Sequence, residues 1–335
     1  MTPSDADNTA RQRTALACCM RNEGPFVVEW AAYHSLLGFD EILVFTNDCT
    51  DGSDLLLDRL KALGYLTHIR QAPPPGGSPQ IEAMKLAFAD PRVQACEWLL
   101  HIDSDEFLNI TCGDGSVRAL LDAVGDCDVI AILWRLFGDN GVTRWDGGSV
   151  LQQFTAAQPE PMRRTVDHKS MFRHALFEFA IDHMPKLPRD PERAINVKTT
   201  AGEAVNGDML RHRRKSRYKM SFRHATFRNA CINHYAVKSE DVWLMKNDRG
   251  DGFGNAHQKY FRNSRMWNRY NRGEAQETSI LRRWPEIAAR MEAMRADPEL
   301  RRIEVHSLAV FRARRDAVLT PEQIARWTHD PEKAL

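Results

Sequence analysis

The feature that most constrains the fold is the regular alternation of short apolar runs with helical segments over the first hundred residues. Between these runs, apolar side chains recur every three or four residues, which is typical of helices packed on a sheet. Alternation of this kind predicts right-handed crossovers and a mainly parallel, doubly wound α/β sheet with helices on both faces. The strand-length apolar runs occur at residues 14–19, 42–45, 65–69 and 98–102.

The sequence pattern of the later part of the chain differs from that of the first hundred residues. Residues 129–134 are apolar and predict a fifth strand, after which four glycines within residues 138–148 predict loops. Beyond about residue 238 the spacing is helical, and Thr320 followed by proline is a typical helix start. We therefore expect a catalytic α/β domain over residues 12–237 and a helical C-terminal extension over residues 238–335.

Composition excludes several classes of protein. The 46 Lys and Arg residues nearly balance the 45 Asp and Glu residues, so the net charge of +1 gives no long-range field that would gather nucleic acid. Seven cysteines without a C-x-x-C pair, and a polar N-terminus without a signal peptide, predict a cytoplasmic protein. The longest apolar runs have strand length, so we expect no membrane span, although peripheral contact with a membrane stays open.

The most informative stretch is the acidic cluster that ends the fourth predicted strand. Asp103, Asp105 and Glu106 follow the apolar residues 98–102 directly. In doubly wound sheets ligands bind beyond the carboxyl ends of the strands, which is where this cluster should lie. Carboxylates at such short separations repel each other unless a cation neutralises them or they share a proton. The alternative is that these acids cap the following segment and are solvated.

The spacing of the two aspartates suits a metal. If strand geometry persists, Asp103 and Asp105 point to the same side and Ser104 points away. Carboxylate oxygens suit Mn²⁺ or Mg²⁺, which take one or two protein carboxylates and complete their shell with water and phosphate oxygens. The pair therefore predicts a divalent cation held against a substrate phosphate.

Several motifs together resemble glycosyltransferase family 2-like proteins, in the branch related to the domain-of-unknown-function glycosyltransferases, over roughly residues 14–255. The resemblance implies a GT-A fold with the aspartate motif at the fourth strand. It also implies a nucleotide-diphosphate sugar donor and a glycan or lipid-linked acceptor, as in bacterial surface polysaccharide synthesis. The matching motifs are Arg21-Asn22-Glu23, Glu29-Trp30, Tyr33-His34, Leu37-Gly38-Phe39-Asp40, Asn47-Asp48-Cys49-Thr50-Asp51-Gly52, Asp103-Ser104-Asp105-Glu106-Phe107, Asn233-His234-Tyr235 and Lys238-Ser239.

The same resemblance assigns binding residues. It implies that Asp48 contacts the base or ribose of the donor, with Glu23 as a second contact and Asp51 and Asp103 beside them. His234 would be the third metal ligand after the two aspartates. Turn chemistry also accounts for two of these residues, because Asp48 can stabilise its own turn and Asp51 can cap the helix that starts at Ser53. A lone histidine is also more often structural.

The reaction implied is inverting sugar transfer, which needs a base for the acceptor hydroxyl. Asp139, in a glycine-flanked turn after the fifth predicted strand, is one candidate, and Glu106 and Asp167 compete with it. Asp139 is equally well accounted for as a turn residue. The basic run Arg211-His212-Arg213-Arg214-Lys215 fits either phosphate contact or a solvated face.

Two other functions fit the aspartate motif. A phosphohydrolase with an aspartate nucleophile also places D-x-D after an apolar strand, although on its first strand rather than its fourth. A binding protein for nucleotide-sugars or glycans could keep the donor pocket without catalysis. Trapping an aspartyl-phosphate analogue on Asp103 would favour the phosphohydrolase, and donor binding without hydrolysis or transfer would favour the binding protein.

Overall fold

The computed structural model describes residues 12–163, 166–213, 221–250 and 258–329. The strands range from two to eight residues and are numbered in chain order. They are β1 (Thr14–Met20), β2 (Glu41–Thr46), β3 (Thr67–Arg70), β4 (Trp98–Asp103), β5 (Glu106–Ile110), β6 (Val129–Leu136), β7 (Ala156–Ala157), β8 (His168–Arg173), β9 (Phe177–Ala180), β10 (Pro185–Pro188), β11 (Val197–Thr199), β12 (Ala204–Val205), β13 (Ala230–His234) and β14 (Ala275–Gln276).

The helices alternate with the strands in the first part of the chain and follow one another in the last part. They are α1 (Gly24–Ser35), α2 (Ser53–Ala62), α3 (Pro79–Ala89), α4 (Pro91–Gln94), α5 (Val117–Val124), α6 (Val150–Gln153), α7 (Glu240–Arg249), α8 (Arg265–Tyr270), α9 (Trp284–Arg295), α10 (Pro298–Val318) and α11 (Pro321–Thr328).

The central sheet has the order β12-β11-β6-β8-β4-β1-β2-β3, with β13 joining β6 to β5. Strand β1 pairs in parallel with β2 and β4, and β2 pairs in parallel with β3. Strand β8 is antiparallel to both of its neighbours, β4 and β6. The mainly parallel sheet with surrounding helices confirms the predicted fold class.

Alternating side chains of each strand pack into two hydrophobic layers, because successive residues of a strand point to opposite faces of the sheet. On one face Leu16 and Val44 pack in a cluster with Trp30 of α1. On the other face Ala17 and Phe45 pack in a cluster with residues of α3. Helices therefore cover both faces, which leaves the carboxyl ends of the parallel strands as the place for a polar site.

Two strands that the local sequence pattern does not predict change the strand count. The chain turns at residues 104–105 and immediately forms β5, which pairs antiparallel with β13. Residues 129–136 are therefore the sixth strand rather than the fifth, and β8 is inserted between them and β4. Both additions depend on partners distant in the chain, which local spacing does not reveal.

The helices after residue 238 pack on the sheet domain rather than away from it. Ser307 of α10 donates from its hydroxyl to the Asp51 carbonyl at 2.7 Å, and Arg59 Nε donates to Asp297 Oδ1 at 2.8 Å. A Cβ atom on Gly24 would lie 2.7 Å from Ser307 Cβ, which shows how closely α10 approaches the start of α1. The predicted helical C-terminal region is confirmed, whereas the division between residues 12–237 and 238–335 stays a prediction.

Among the helices of the described residues, none is both long and apolar enough to span a membrane.

Candidate active site

A cavity of about 210 Å³ lies at the carboxyl ends of β1, β4 and β13, and we call it the central cavity. Its wall combines the predicted acidic motif with residues from the turns after β1 and β2 and from helix α7. This is the location expected for a ligand site in an α/β sheet. The polar and aromatic residues of the wall include Arg21, Glu23, Asn47, Gln80, Asp103, Asp105, Trp134, Asp182, His183, His234, Trp243, Lys246, Arg249 and Tyr270.

Asp103, the last residue of β4, is held from both sides. Gln80 of α3 donates from Nε2 to Asp103 Oδ1 at 2.7 Å. Lys169 Nζ lies 3.0 Å from Asp103 Oδ2, and its side chain is fully buried on β8. The unpredicted antiparallel strand β8 therefore delivers the cation that balances the first aspartate of the motif.

Glu106 lies beneath the cavity and does not line it. Its side chain is fully buried, its Oε2 accepts from the Asp103 backbone N–H at 2.8 Å, and Lys169 Nζ lies 3.6 Å away. Burial raises the pKa of the Glu106 carboxyl, and the nearby Asp103 adds to that effect. In this position Glu106 orients the turn after β4, and it is out of reach of an acceptor hydroxyl in the central cavity.

Asp105 faces His234 and Lys246. The pairing of β5 with β13 puts His234 opposite Glu106, so that the His234 ring lies next to Asp105. His234 Nε2 is 3.5 Å from Asp105 Oδ1, and Lys246 Nζ donates to Asp105 Oδ2 at 2.7 Å. All three side chains are buried.

The charges of this group follow from these contacts. Burial opposes ionisation of Asp105, but Lys246 and His234 outweigh it and hold the pKa of Asp105 well below its usual range. Burial lowers the pKa of His234, which favours the neutral imidazole that binds metals. Burial also opposes the charge on Lys246, yet Asp105 raises the pKa of this lysine.

Glu23, which is buried, and Arg249, which is half-buried, form a second ion pair at the edge of the central cavity. Glu23 belongs to the turn after β1, as predicted for a residue near the donor, and Arg249 is three residues after Lys246 on the same face of α7. Asn47 lines the cavity beside them, whereas the neighbouring Asp48 is exposed and accepts a hydrogen bond from Asn47 Nδ2 at 3.0 Å.

Asp51 serves local structure. Its Oδ1 accepts from the Ser53 N–H at 2.9 Å and its Oδ2 from the Gly24 N–H at 2.8 Å, so it supports the starts of α2 and α1. The residue lies outside the lining of the central cavity. Helix capping, rather than contact with a donor in this cavity, therefore accounts for the position of Asp51.

Asp139 and Asp167, the other two base candidates, also lie outside the lining of the central cavity. Asp139 accepts from the Gly141 N–H at 2.9 Å and from Asn271 Nδ2 at 3.1 Å, as a turn residue does. Asp167 is buried in an ion pair with Arg269. Neither carboxylate is therefore in position to take a proton from an acceptor bound in the central cavity.

A different acid and base pair does line the cavity. Asp182 and His183 lie between β9 and β10, with His183 Nε2 3.2 Å from Asp182 Oδ2. Burial raises the pKa of Asp182, but His183 and Lys169 outweigh it and lower the value to about 2. Asp182 is therefore ionised at neutral pH and is the carboxylate on this wall of the cavity.

The residues present fit a divalent cation in part. An octahedral ion with bonds of about 2.1 Å places neighbouring ligand atoms roughly 3 Å apart, close to the separation of His234 Nε2 and Asp105 Oδ1. Among the described residues, however, no three His, Cys, Asp or Glu side chains converge on one point. A site built from Asp105 and His234 therefore depends on substrate oxygens for its remaining ligands, and Lys246 competes for Asp105.

Several polar atoms in the wall support a polar ligand. Within the described parts of the chain, five lining residues each bury a nitrogen or oxygen atom that has no hydrogen-bond partner, which is costly unless a ligand or water satisfies it. These atoms are Asn47 Oδ1, Gln80 Oε1, Trp134 Nε1, His234 Nδ1 and Trp243 Nε1.

Most of the cations of the site were not predicted from the sequence. No role could be derived for Lys169 from the sequence. Lys246 and Arg249 had no distinguishing signal beyond a shared helical face. The basic run that did attract attention is elsewhere: Arg211 donates to the Pro191 and Arg193 carbonyls, and residues 214–220 lie outside the described residues.

Comparison with known proteins gives related plant sequences and partly similar structures. The chain is 27% identical over 176 residues to a glycosyltransferase family 92 protein of Ricinus communis, an alignment that covers 48% of this chain and 29% of that protein. A family 92 protein of Oryza sativa subsp. japonica is 26% identical over 175 residues, with 49% of this chain and 27% of that protein covered. The chain thus spans less than a third of the length of these relatives.

Among solved structures, S. aureus TarS 1-349 superposes with a TM-score of 0.33 and 17% identity, covering 49% of this chain and 48% of that chain. A family model described as glycosyltransferase family 92 matches residues 16–252, which include the turn after β1, the Asp103–Asp105 motif, His234, Lys246 and Arg249. The chain belongs to glycosyltransferase family 92.

Proposed function

We propose that this chain transfers a sugar from a nucleoside-diphosphate donor to an acceptor hydroxyl. The observation that carries the proposal is the meeting of Asp105, His234 and Lys246 in one cavity beyond the parallel strands. This group combines a carboxylate, a neutral imidazole and a cation at the point where a departing diphosphate would gather negative charge. Membership of glycosyltransferase family 92 supports the same reaction.

The two ends of the central cavity suit the two parts of a nucleotide donor. Asn47 and Gln80 present buried, unpartnered amide oxygens that can accept hydrogen bonds from a base or ribose. Arg21, Lys246 and Arg249 line the region next to them and suit phosphate oxygens. We therefore place the nucleoside against the turn after β2 and the start of α3, and the diphosphate against Arg21 and α7.

Asp105 and His234 are the residues that would hold Mn²⁺ or Mg²⁺ in this proposal, with Asp103 beside them and phosphate oxygens completing the shell. When bound, the cation would supply Lewis-acid stabilisation to the diphosphate as it leaves. Lys246 would then be free to move from Asp105 to the same phosphate oxygens. The chain's own cations stabilise the growing charge whether or not this exchange is complete.

The acceptor side of the cavity includes Trp134 and Tyr270, whose rings can pack against a sugar face, and the Asp182 carboxylate. We propose that Asp182 accepts the proton from the acceptor hydroxyl, because its carboxylate lines the central cavity, whereas Asp139 and Glu106 do not line it. His183 positions the Asp182 carboxylate through their contact of 3.2 Å.

Three finer features rest on the family 2 resemblance alone: inversion at the anomeric carbon, a glycan or lipid-linked acceptor, and a role in surface polysaccharide synthesis. A cytoplasmic location rests on the composition of the chain. All four stay proposals.

The proposal is tested by binding and turnover together. UDP-, GDP- and dTDP-sugars are screened by thermal shift with and without Mn²⁺, and release of the nucleoside diphosphate is followed in parallel. We expect one donor family to stabilise the protein in a metal-dependent way, since a ligand that binds only the folded state raises its stability. Asp105→Asn should remove this stabilisation and lower turnover about 10²- to 10³-fold, the usual effect of losing one electrostatic stabiliser.

Asp139→Asn is the matched control, because it makes the same chemical change in a turn outside the cavity. It should bind and turn over the donor as the wild type does. Binding without turnover by the wild type, over the whole panel and with a range of acceptor sugars, would instead indicate a binding protein. Equal losses in Asp105→Asn and Asp139→Asn would contradict the assigned site.

A further inference from the structure

A second cavity, of about 380 Å³, lies on the other side of the Lys246 and Arg249 side chains, between the start of α1, helix α7 and helix α10. It shares four lining residues with the central cavity but contains neither aspartate of the Asp103–Asp105 motif. The proposed donor site does not use it. We call it the α10 cavity.

Lys238 is the unexplained residue of the α10 cavity. Its side chain lines the cavity, the residue is only 2% exposed, and its Nζ lies 4.5 Å from the centre of the Phe26 ring. Across the described chain its ammonium group makes no hydrogen bond or ion pair. A buried ammonium group without an anionic partner is costly, so its position calls for a function.

The other charges of the α10 cavity are largely committed to one another. Arg249 pairs with Glu23, and Arg314 Nη2 lies 2.6 Å from Asp248 Oδ1. The Asp51 carboxylate accepts backbone N–H groups at the starts of α1 and α2. Arg249 and Arg314 thus have carboxylate partners, whereas over the described part of the chain the Lys238 ammonium group makes no such pair and has only the longer-range attraction of Asp105 and Glu29.

The rest of the wall combines the polar residues Arg21, Asn22, Thr50 and Lys246 with five apolar residues. The apolar members come from three helices, and the Phe26 ring lies 4.5 Å from Lys238 Nζ. They are Phe26, Val242, Met245, Val310 and Phe311.

Burial lowers the pKa of Lys238 to about 7, so the protein keeps this lysine only partly charged when nothing neutralises it. An anion in the cavity would stabilise the charged form, as Asp105 does for Lys246. The cation therefore suits an anionic group of a ligand, and the apolar residues of the wall suit an apolar body of the same ligand.

We propose that the α10 cavity binds a small phosphate- or carboxylate-bearing molecule whose apolar body packs against Phe26 and Met245 and whose anionic group pairs with Lys238. The site is separate from the proposed donor site and does not depend on glycosyl transfer. Because Lys246 and Arg249 border both cavities, a ligand here would lie beside the proposed diphosphate position.

The test uses the whole chain and calorimetric titration with phenyl phosphate, benzoate and the neutral benzyl alcohol. We expect at least one of the two anions to bind and the alcohol not to bind. The better anion identifies which acidic group the site selects. Lys238→Met, which keeps the length of the side chain, should weaken anion binding about tenfold or more, the usual effect of removing a charge-assisted contact.

A second variant keeps Lys238 and fills the space. Val310 is partly exposed on α10, so Val310→Trp should be accommodated while blocking the cavity, and it too should abolish anion binding. UDP affinity should stay unchanged in both variants, which separates this site from the donor site. The inference is overturned if neither anion binds the wild type, if binding survives both substitutions, or if UDP displaces the bound anion competitively.

Discussion

Replacing Lys246 by methionine tests whether this lysine and a metal ion compete for the same carboxylate. The substitution keeps most of the buried side-chain volume and removes the ammonium group that lies 2.7 Å from Asp105 Oδ2. Asp105 is only 7% exposed, so water cannot replace the lost partner fully. In the absence of metal the variant therefore contains a buried carboxylate whose nearest remaining partner is His234.

The expected cost follows from that burial. Breaking a buried ion pair by removing one partner typically destabilises a protein by about 3 to 5 kcal/mol. Mn²⁺ should recover much of this loss, because it can pair with Asp105 where the ammonium group was. An ion at about 100 times its Kd contributes roughly 2.7 kcal/mol to the folded state. The wild type should gain less at the same concentration, since Lys246 must first leave Asp105.

The assay is urea unfolding of both proteins with and without Mn²⁺, and Lys186→Met is the control. Lys186 is another fully buried lysine, but its Nζ donates to the Met209 carbonyl rather than to a carboxylate. We expect the control to lose stability without any added response to Mn²⁺. If Mn²⁺ stabilises Lys246→Met no more than the wild type, the assignment of Asp105 as a metal ligand is refuted.

Two further predictions concern stability. Arg315 is 1% exposed, and its Nη1 lies 3.0 Å from Asp241 Oδ2 at the start of α7. Arg315→Met should therefore lower the free energy of unfolding in urea by about 3 to 5 kcal/mol, and adding Asp241→Asn to this variant should restore part of the loss. Losses that add fully in the double variant would contradict this pairing. The pKa of Asp182 is lowered to about 2, so its contribution is present above about pH 4 and is lost as pH falls through about 2. Between pH 7 and pH 2 the free energy of unfolding of Asp182→Asn should therefore fall by about 2 kcal/mol less than that of the wild type, as measured by acid unfolding. The same dependence on pH in both proteins would contradict this prediction.

The sequence was most informative where local pattern and tertiary structure agree. Strands β1, β2 and β4 begin and end within a residue of the predicted positions, and helices α1 and α2 follow β1 and β2 as expected, because buried strands and amphipathic helices leave periodic patterns. The family resemblance to nucleotide-sugar glycosyltransferases is likewise confirmed at the level of family 92. Asp103, Asp105 and His234 do line one cavity, although their roles stay predictions.

The assumption that strand geometry continues through the acidic motif was wrong, because β4 ends at Asp103 and the chain turns at residues 104–105. The two carboxylates consequently meet different partners: Lys169 from β8 for Asp103, and Lys246 from α7 for Asp105. Asp139 and Glu106 had the right chemical type for a base, but the fold uses one in a turn and buries the other.

What the sequence determined by itself is the order of strands and helices as far as β4 and the edge of the sheet at which a polar site should form. Both are consequences of local spacing, since side-chain period and chain direction decide which residues face the core and where the strands end. Only the tertiary structure decided which charges meet. Lys169 and Lys246 lie 66 and 141 residues beyond the aspartates that they contact, and no local pattern encodes a contact made across that separation.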